Sequence, residues 1–323
     1  MPKLTRRAFG LAAGALTISA PNILRAASLD LAKVTLRIGD QVGQHHSKLK
    51  AAGLLDDVPY KIEWSVYPAA VHLHEALKAD AIDVGAANDS PTVSAIAGGS
   101  KIVVVSAWGN GGKGTSLLVP KNSPAKTVAD LKGKTISPTT RGSVAHYLVV
   151  GELKKAGLRE EDVKLAFLNP VDAGAAFAAG SIDAWATWGV YAARIRSTLG
   201  ARVLSDGAGV NSGLFVFSAT QAAAHDPGKI AAIADYSDRI ERSYRWTREK
   251  RAEHIAWYKS FAKQDDAIAN DVYDDDASYR RLPIDDAFAA RLKLTFDTWK
   301  SVGVLNGDID FGAYLYRGLA IGA

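Results

Sequence analysis

A chain of 323 residues with 48% hydrophobic and 23% charged residues is long enough for about two globular domains, and its composition is neither disordered nor fibrous. The formal charge of +5 is concentrated at the start: residues 1–27 hold Lys3, Arg6, Arg7 and Arg25 and no acid, which leaves +1 for the rest. A nearly neutral body argues against nucleic acid as a partner, and the absence of cysteine excludes disulfides, thiolate nucleophiles, cysteine-bound zinc and iron–sulfur clusters.

The first predicted element is a targeting segment. Arg6-Arg7 with Phe9, a short apolar run over 11–18 and small residues at 26–28 read as an export signal covering 1–27. The apolar run is shorter than the roughly 20 residues a membrane span needs. Paired arginines in this setting resemble a twin-arginine signal, which implies delivery of a folded protein to the periplasm.

From Val34 onward β-branched runs alternate with amphipathic stretches, the pattern of an α/β fold with a largely parallel sheet. Strands are predicted at 34–38, 62–66, 82–86 and 102–107, with helices at 44–55, 69–78 and 91–98 between them. A second set follows: strands at 134–137, 163–167, 182–186 and 203–204, helices at 143–156 and 173–179. Residues 115–120 with the polar, proline-bearing Asn122-Ser123-Pro124 read as a crossing between two lobes, and a return crossing is expected near 211–218. The expected division is 28–120 with 216–323 for lobe 1 and 121–215 for lobe 2. After Thr220 the chain turns helical: Asp226-Pro227 caps a helix predicted through 261, followed by helices at 265–272 and 285–302 that pack onto the first lobe. Asp274-Asp275-Asp276 lacks the glycine and terminal glutamate of a calcium loop and reads as a solvated turn.

Several signals resemble catalytic or cofactor motifs without meeting their requirements. Gly109 to Gly114 fits GxGxxG, but the β-prone 115–119 follows it where a dinucleotide site needs a helix. Lys113 precedes Gly114 instead of a serine or threonine, so no P-loop forms, and the segment reads as a flexible turn. His45-His46 and His72-x-His74 lack metal-ligand spacing, since positions two apart on a helix do not share a face. No Gly-x-Ser-x-Gly elbow is present. No cofactor and no metal are implied.

Three stretches in order carry a resemblance: Ile82-Asp83-Val84-Gly85-Ala86-Ala87-Asn88-Asp89-Ser90-Pro91; Asp130-Leu131-Lys132-Gly133-Lys134 leading to Arg141-Gly142-Ser143-Val144-Ala145-His146-Tyr147; and Gly180-Ser181-Ile182-Asp183-Ala184-Trp185-Ala186-Thr187-Trp188. Together they resemble the aliphatic sulfonate, taurine and nitrate family of ABC-importer binding proteins, most closely its aliphatic sulfonate branch. The resemblance implies a type II periplasmic-binding fold: two α/β lobes joined by two crossings, with a helical C-terminal extension on the first. It further implies a small organic anion captured in the interlobe cleft, a membrane permease as partner, a monomer, and no catalysis.

Ligands of open α/β sheets bind beyond the carboxyl ends of strands, and the motifs fall at such ends. Arg141-Gly142-Ser143 stands at a predicted helix start, where free N–H groups and the dipole favour an anion; the alternative is that Ser143 only caps its own helix. Asn88 and Ser90 are candidate donors, whereas Asp89 suits a structural acceptor because a carboxylate repels an anion. The resemblance assigns a ligand glutamine to the loop after the first strand, where Gln41 stands with Gln44 as the alternative. It also assigns a cleft tryptophan to Trp188; Trp185 suits the core. Where the family usually has aspartate after that tryptophan, this chain has Gly189, which removes the ligand-amine or interlobe contact the aspartate would make and widens the cleft for a bulkier ligand. The fold also resembles sulfinate desulfinases and pyrimidine-synthesis enzymes, but a desulfinase of this kind uses a cysteine, and a ligand-sensing module is a third reading.

Overall fold

The computed structural model describes residues 29–319; the export segment expected at 1–27 lies outside the described residues. The chain first builds β1 (Thr35–Gln41), α1 (Gln44–Ala51), β2 (Lys61–Tyr67), α2 (Ala70–Lys78), β3 (Val84–Asn88), α3 (Asp89–Ala97) and β4 (Ile102–Gly109). β1 pairs in parallel with both β2 and β3. In β3 the first four residues are buried, as expected of a strand covered on both faces. α2 buries Ala70, Leu73, His74 and Leu77, the i, i+3, i+4, i+7 stripe that faces a sheet. Gly85 permits the close approach, because a Cβ there would stand 2.6 Å from Leu73 Cδ2.

A second sheet follows from β5 (Thr115–Val119), β6 (Thr135–Ser137), α4 (Val144–Lys155), β7 (Lys164–Leu165), α5 (Pro170–Ala178), β8 (Ala184–Trp188), α6 (Gly189–Leu199) and β9 (Arg202–Ser205), in the order β7-β6-β8-β5-β9. The chain then returns through β10 (Leu214–Thr220), α7 (Gln221–His225), α8 (Pro227–Glu249), α9 (Arg251–Ala262), α10 (Asp266–Ser278), β11 (Arg280–Leu282) and α11 (Asp286–Ser301). β10 inserts antiparallel between β3 and β4, which gives the first sheet the order β11-β4-β10-β3-β1-β2. The α/β class and the helical C-terminal part are as expected. Both sheets are mixed rather than largely parallel, because the strands on either side of each crossing run against their neighbours.

Three expected boundaries move. The chain leaves the first sheet after Gly109 and enters the second at Thr115, so 115–119 is a strand paired with β8 and β9, and the glycine-rich 110–114 makes the passage. The helix expected through 261 breaks at Lys250 (φ −120°, ψ 54°), which lets α9 turn and bury His254 and Tyr258. The Asp274–Asp276 run lies inside α10 and not in a solvated turn; Asp265 caps that helix through Ile268 N–H at 2.9 Å, and Asp276 packs inward.

Apolar clusters cover both faces of the first sheet, with α2, α3 and α11 on one side and α1 and α8 on the other. Two smaller clusters do the same for the second sheet. Among the described residues no helix is long and apolar enough to cross a membrane.

Candidate functional site

Between the two sheets lies a cleft of about 1150 Å³ including its mouth. Its first wall is the end of β1 and the start of α1, with Gln41, Val42, Gln44 and His45. The chain bends sharply there: Val42 (φ 51°) and Gly43 (φ 75°) both take left-handed backbone. For a β-branched residue this costs roughly 1–2 kcal/mol, and Val42 N–H is anchored on Tyr67 O at 3.0 Å. Gln41 Nε2 donates to Ala86 O at 2.8 Å, which fixes its rotamer. Asn88, at the end of β3, faces the same space with Nδ2 donating to Leu214 O at 3.3 Å.

The floor is formed by the passage between sheets. Asn110 is buried, and its side chain spans the turn by accepting from Gly112 N–H at 3.1 Å and donating to Lys113 O at 3.0 Å. Asn110 N–H donates to Gly213 O at 3.0 Å, so the two crossings touch. A Cβ on Gly213 would lie 2.1 Å from Gly112 N, and one on Gly112 would lie 2.5 Å from Asn211 O, so only glycine fits either place.

The second sheet contributes Trp188 and the start of α6. Trp188 packs on that lobe's apolar cluster and also lines the cleft, with Tyr191 edge-on at 6.2 Å. No side chain caps α6, whose first turn lines the cleft; Gly189 N–H is taken by Gly114 O at 3.3 Å, and the N–H groups that follow have no intrahelical partner. Two contacts bring α6 against the first lobe: Tyr191 Oη donates to Pro68 O at 2.9 Å, and Arg196 pairs with Asp271.

The remaining wall comes from the C-terminal helices: Tyr244 of α8, Tyr258 of α9, and Asp271, Asp275 and Asp276 of α10, with Tyr279 beyond. Behind it, Lys48 is fully buried, 3.5 Å from Asp276 Oδ2 and 4.3 Å from the Tyr244 ring centroid. Burial lowers the pKa of Lys48. Burial also lowers His254 to about 4, so its ring, 3.6 Å from Asp276, is neutral at pH 7. Asp275 is pushed up to about 6, chiefly by burial.

Of the residues expected to hold a ligand, Gln41, Asn88 and Trp188 converge on this cleft, as does Gln44. Ser90, Gly142 and Ser143 are also brought together, but at the contact of α3 with α4 and outside the cleft lining. Ser90 Oγ lies 3.2 Å from Gly142 O and 3.3 Å from Ser143 O, and accepts from Trp299 Nε1 at 3.1 Å. The α4 start is satisfied from within: Ser143 Oγ accepts from His146 N–H, and Gly142 N–H donates to His146 Nδ1 at 3.1 Å. Ser143 therefore caps its own helix. Arg141 is exposed, with its guanidinium 4.0 Å from the Phe167 ring centroid. Asp89 accepts from Ser90 N–H and Thr295 Oγ1, the structural acceptor expected of it, and Trp185 is core, donating to Thr139 Oγ1 at 3.0 Å. His74 is buried against Thr92, and His46 stacks on Trp64.

The sequence reading missed the α10 wall and Arg196. Asp271 and Asp275 stand one helical turn apart, as do Val272 and Asp276, and extending the predicted helix beyond 272 would have placed both pairs on one face.

Comparison with known proteins fits this geometry. Residues 51–232 match the family described as ABC transporter, phosphonate, periplasmic substrate-binding protein. An aliphatic sulfonates-binding protein of Escherichia coli K12 is 38% identical over 218 residues, 65% of this chain and 68% of that one. The alkanesulfonate-binding protein SsuA of Xanthomonas axonopodis pv. citri, solved bound to MOPS, superposes with a TM-score of 0.78 at 28% identity, covering 88% of this chain and 98% of that one. The aliphatic sulphonate binding protein SsuA of Escherichia coli gives 0.74 at 30% identity, over 90% and 94%. With two sheets, two crossings, an interlobe cleft and these relatives, the chain belongs to the family of ABC-transporter periplasmic substrate-binding proteins.

Proposed function

We propose that this chain captures an organic sulfonate between its lobes and hands it unchanged to the permease of an ABC importer. The observation that carries the reading is the cleft lined by Gln41, Asn88, Trp188 and the uncapped start of α6, on a chain 38% identical to an aliphatic sulfonates-binding protein. A sulfonate is a permanent anion, and the α6 N–H groups and the Lys113 ammonium supply positive potential without a full counter-charge in contact. The amides of Gln41 and Asn88 supply neutral donors, and the Trp188 face packs the organic part. Ser90, Gly142 and Ser143 join the lobes and set the closed geometry instead of touching the guest. Export by the twin-arginine route as a monomer completes the reading.

Turnover is a separate claim. A desulfinase of the resembling kind needs a cysteine, and the chain has none, so purified protein is expected to leave an aryl sulfinate intact. Isothermal titration with alkyl and aryl sulfonates, carboxylates and sulfate esters tests the capture reading. Sulfonates are expected to bind first; no heat with any sulfonate would sink it.

A further inference from the structure

The charges of the cleft do not suit an anion as they stand. Asp271, Asp275 and Asp276 of α10 all line it. Arg196 of α6 neutralises Asp271, and Lys48 of α1 offsets Asp276 from behind the wall. Asp275 is half-buried, and its carboxylate has no hydrogen-bond or ion-pair partner among the described residues. Of the charges that act on it, Lys113 alone is opposite in sign, while Asp206, Asp271 and Asp276 are like charges. An anion entering the same space adds another like charge, and a carboxylate so placed answers by taking a proton.

A second, independent feature belongs to the same wall. Tyr258 lines the cleft, is 1% exposed, and its hydroxyl has no partner among the described residues. A buried hydroxyl left unpaired costs about 1–3 kcal/mol, and an anion that accepts from it removes that cost. The C-terminal wall therefore offers O–H donors, and Asp275 joins them only when it is protonated. The tyrosines on the cleft, Tyr191, Tyr244, Tyr258 and Tyr279, have their pKa raised by burial and stay neutral. His45 of α1, the remaining titratable side chain on the cleft, stands 3.4 Å from Asp40.

We infer that capture is coupled to a proton: Asp275 takes one up as the anionic guest enters the cleft and faces the guest as a neutral carboxylic acid, so that affinity falls as pH rises. The inference rests on the sulfonate reading above. The proton comes from the solvent and returns there on release, and no bond of the guest forms or breaks. Because the guest favours the protonated carboxyl, the proton favours the guest by the same factor. Burial already pushes the Asp275 pKa up to about 6. Below that value the carboxyl is neutral before the guest arrives and affinity is flat; above it affinity falls by up to about tenfold per pH unit.

Calorimetric titration of one alkanesulfonate at pH 5 and pH 7, at constant ionic strength, tests this; a sulfonate stays ionised across the range, so any slope belongs to the protein. Affinity is expected to be about tenfold weaker at pH 7, and titrations there in two buffers of different ionisation heat should show about one proton taken up per guest. Asp275→Asn, with a permanently neutral amide, is expected to bind within about twofold alike at both pH values and more tightly than the unaltered protein at pH 7, a gain that a damaged fold does not give. Tyr258→Phe is expected to weaken binding a few-fold and to keep the slope. Equal affinity at the two pH values without proton uptake in the unaltered protein overturns the inference and leaves sulfonate capture standing. No binding at either pH overturns both. A slope that persists in Asp275→Asn gives the proton to another group and overturns the assignment. If Asp275→Asn does not fold, His45→Gln decides: the slope is expected to survive there, and its loss overturns the assignment.

Discussion

The two lobes use one motif a hundred residues apart, and they differ in what covers it. In the first, Asp83 N–H donates to Arg37 O at 2.8 Å while its carboxylate accepts from Arg37 N–H at 2.9 Å. In the second, Asp183 repeats both bonds with Thr135 at 2.8 and 2.9 Å. The carboxylates then part company. Asp83 is fully buried and pairs with Arg37 at 2.6 Å and Lys229 of α8 at 2.7 Å, whereas Asp183 is 47% exposed with Lys134 at 3.8 Å. The backbone device is the same, and α8, which packs on the first sheet and brings Lys229, turns a surface acid into a buried anchor.

The largest expected effect tests that contrast. Asp83→Ala removes the shared partner of two cations and an N–H acceptor, and should cost about 3 kcal/mol, the low end for a broken buried pair because Arg37 and Lys229 still reach water. Asp183→Ala should cost under about 1 kcal/mol. Urea denaturation of both variants measures this, and equal losses would break the comparison. The pH dependence has a definite sign. The pKa of Asp83 is lowered, with burial opposing and the bonds from Arg37 and Lys229 prevailing. Its contribution is therefore full above the ordinary carboxylate value and lost as pH falls through the folded-state value. The acid limb of stability should flatten in Asp83→Ala.

The same offset sets Asn88 against Trp188, each the last residue of its strand and each on the cleft. Trp188→Ala should weaken sulfonate binding by about thirtyfold, roughly 2 kcal/mol of lost aromatic contact. Asn88→Ala should weaken it only a few-fold, because its amide is held by Leu214 O. Titration calorimetry orders the two, and the reverse order would make the first lobe the principal reader.

The smallest effect concerns the turns that precede the motif. Gly180 (φ 71°) and Asp80 (φ 55°) both hold left-handed backbone after a helix. Gly180→Ala should cost about 1 kcal/mol. Asp80→Gly should be close to neutral, since relief of the backbone is offset by loss of its contact with Arg37. Thermal melts of both suffice to check this.

The same comparison explains what was legible in the sequence. The eight strands predicted between 34 and 204 carry local signals, short β-branched or apolar runs, and each has a counterpart in the structure, whereas β10 lies where a crossing is expected and β11 carries no such signal. Pro120 and the polar residues after it look like a break and point to a passage at 115–120, while the chain crosses between the sheets in the glycine-rich turn before it. Of the cleft residues at strand ends, Asn88 follows from its place between a strand and a helix, whereas Gln41 and Trp188 are implied by the family resemblance. The α10 wall was not legible, because what draws Asp276 inward is Lys48, 228 residues away in the chain, and a run of three aspartates looks like surface until that partner is known. Ser90 and Ser143 illustrate the same limit of sequence: helix starts facing each other across lobes can bind a guest or one another, and the contact of Ser90 Oγ with Gly142 O and Ser143 O depends on residues more than 50 positions apart.

The glycine contact at the crossings has a mechanical result. Because Gly112 and Gly213 leave no space for a side chain between them, the two connecting ribbons form a single strip, and neither can twist without dragging its neighbour. A side chain at either glycine would force the two ribbons apart at the point where the chain passes from one sheet to the other.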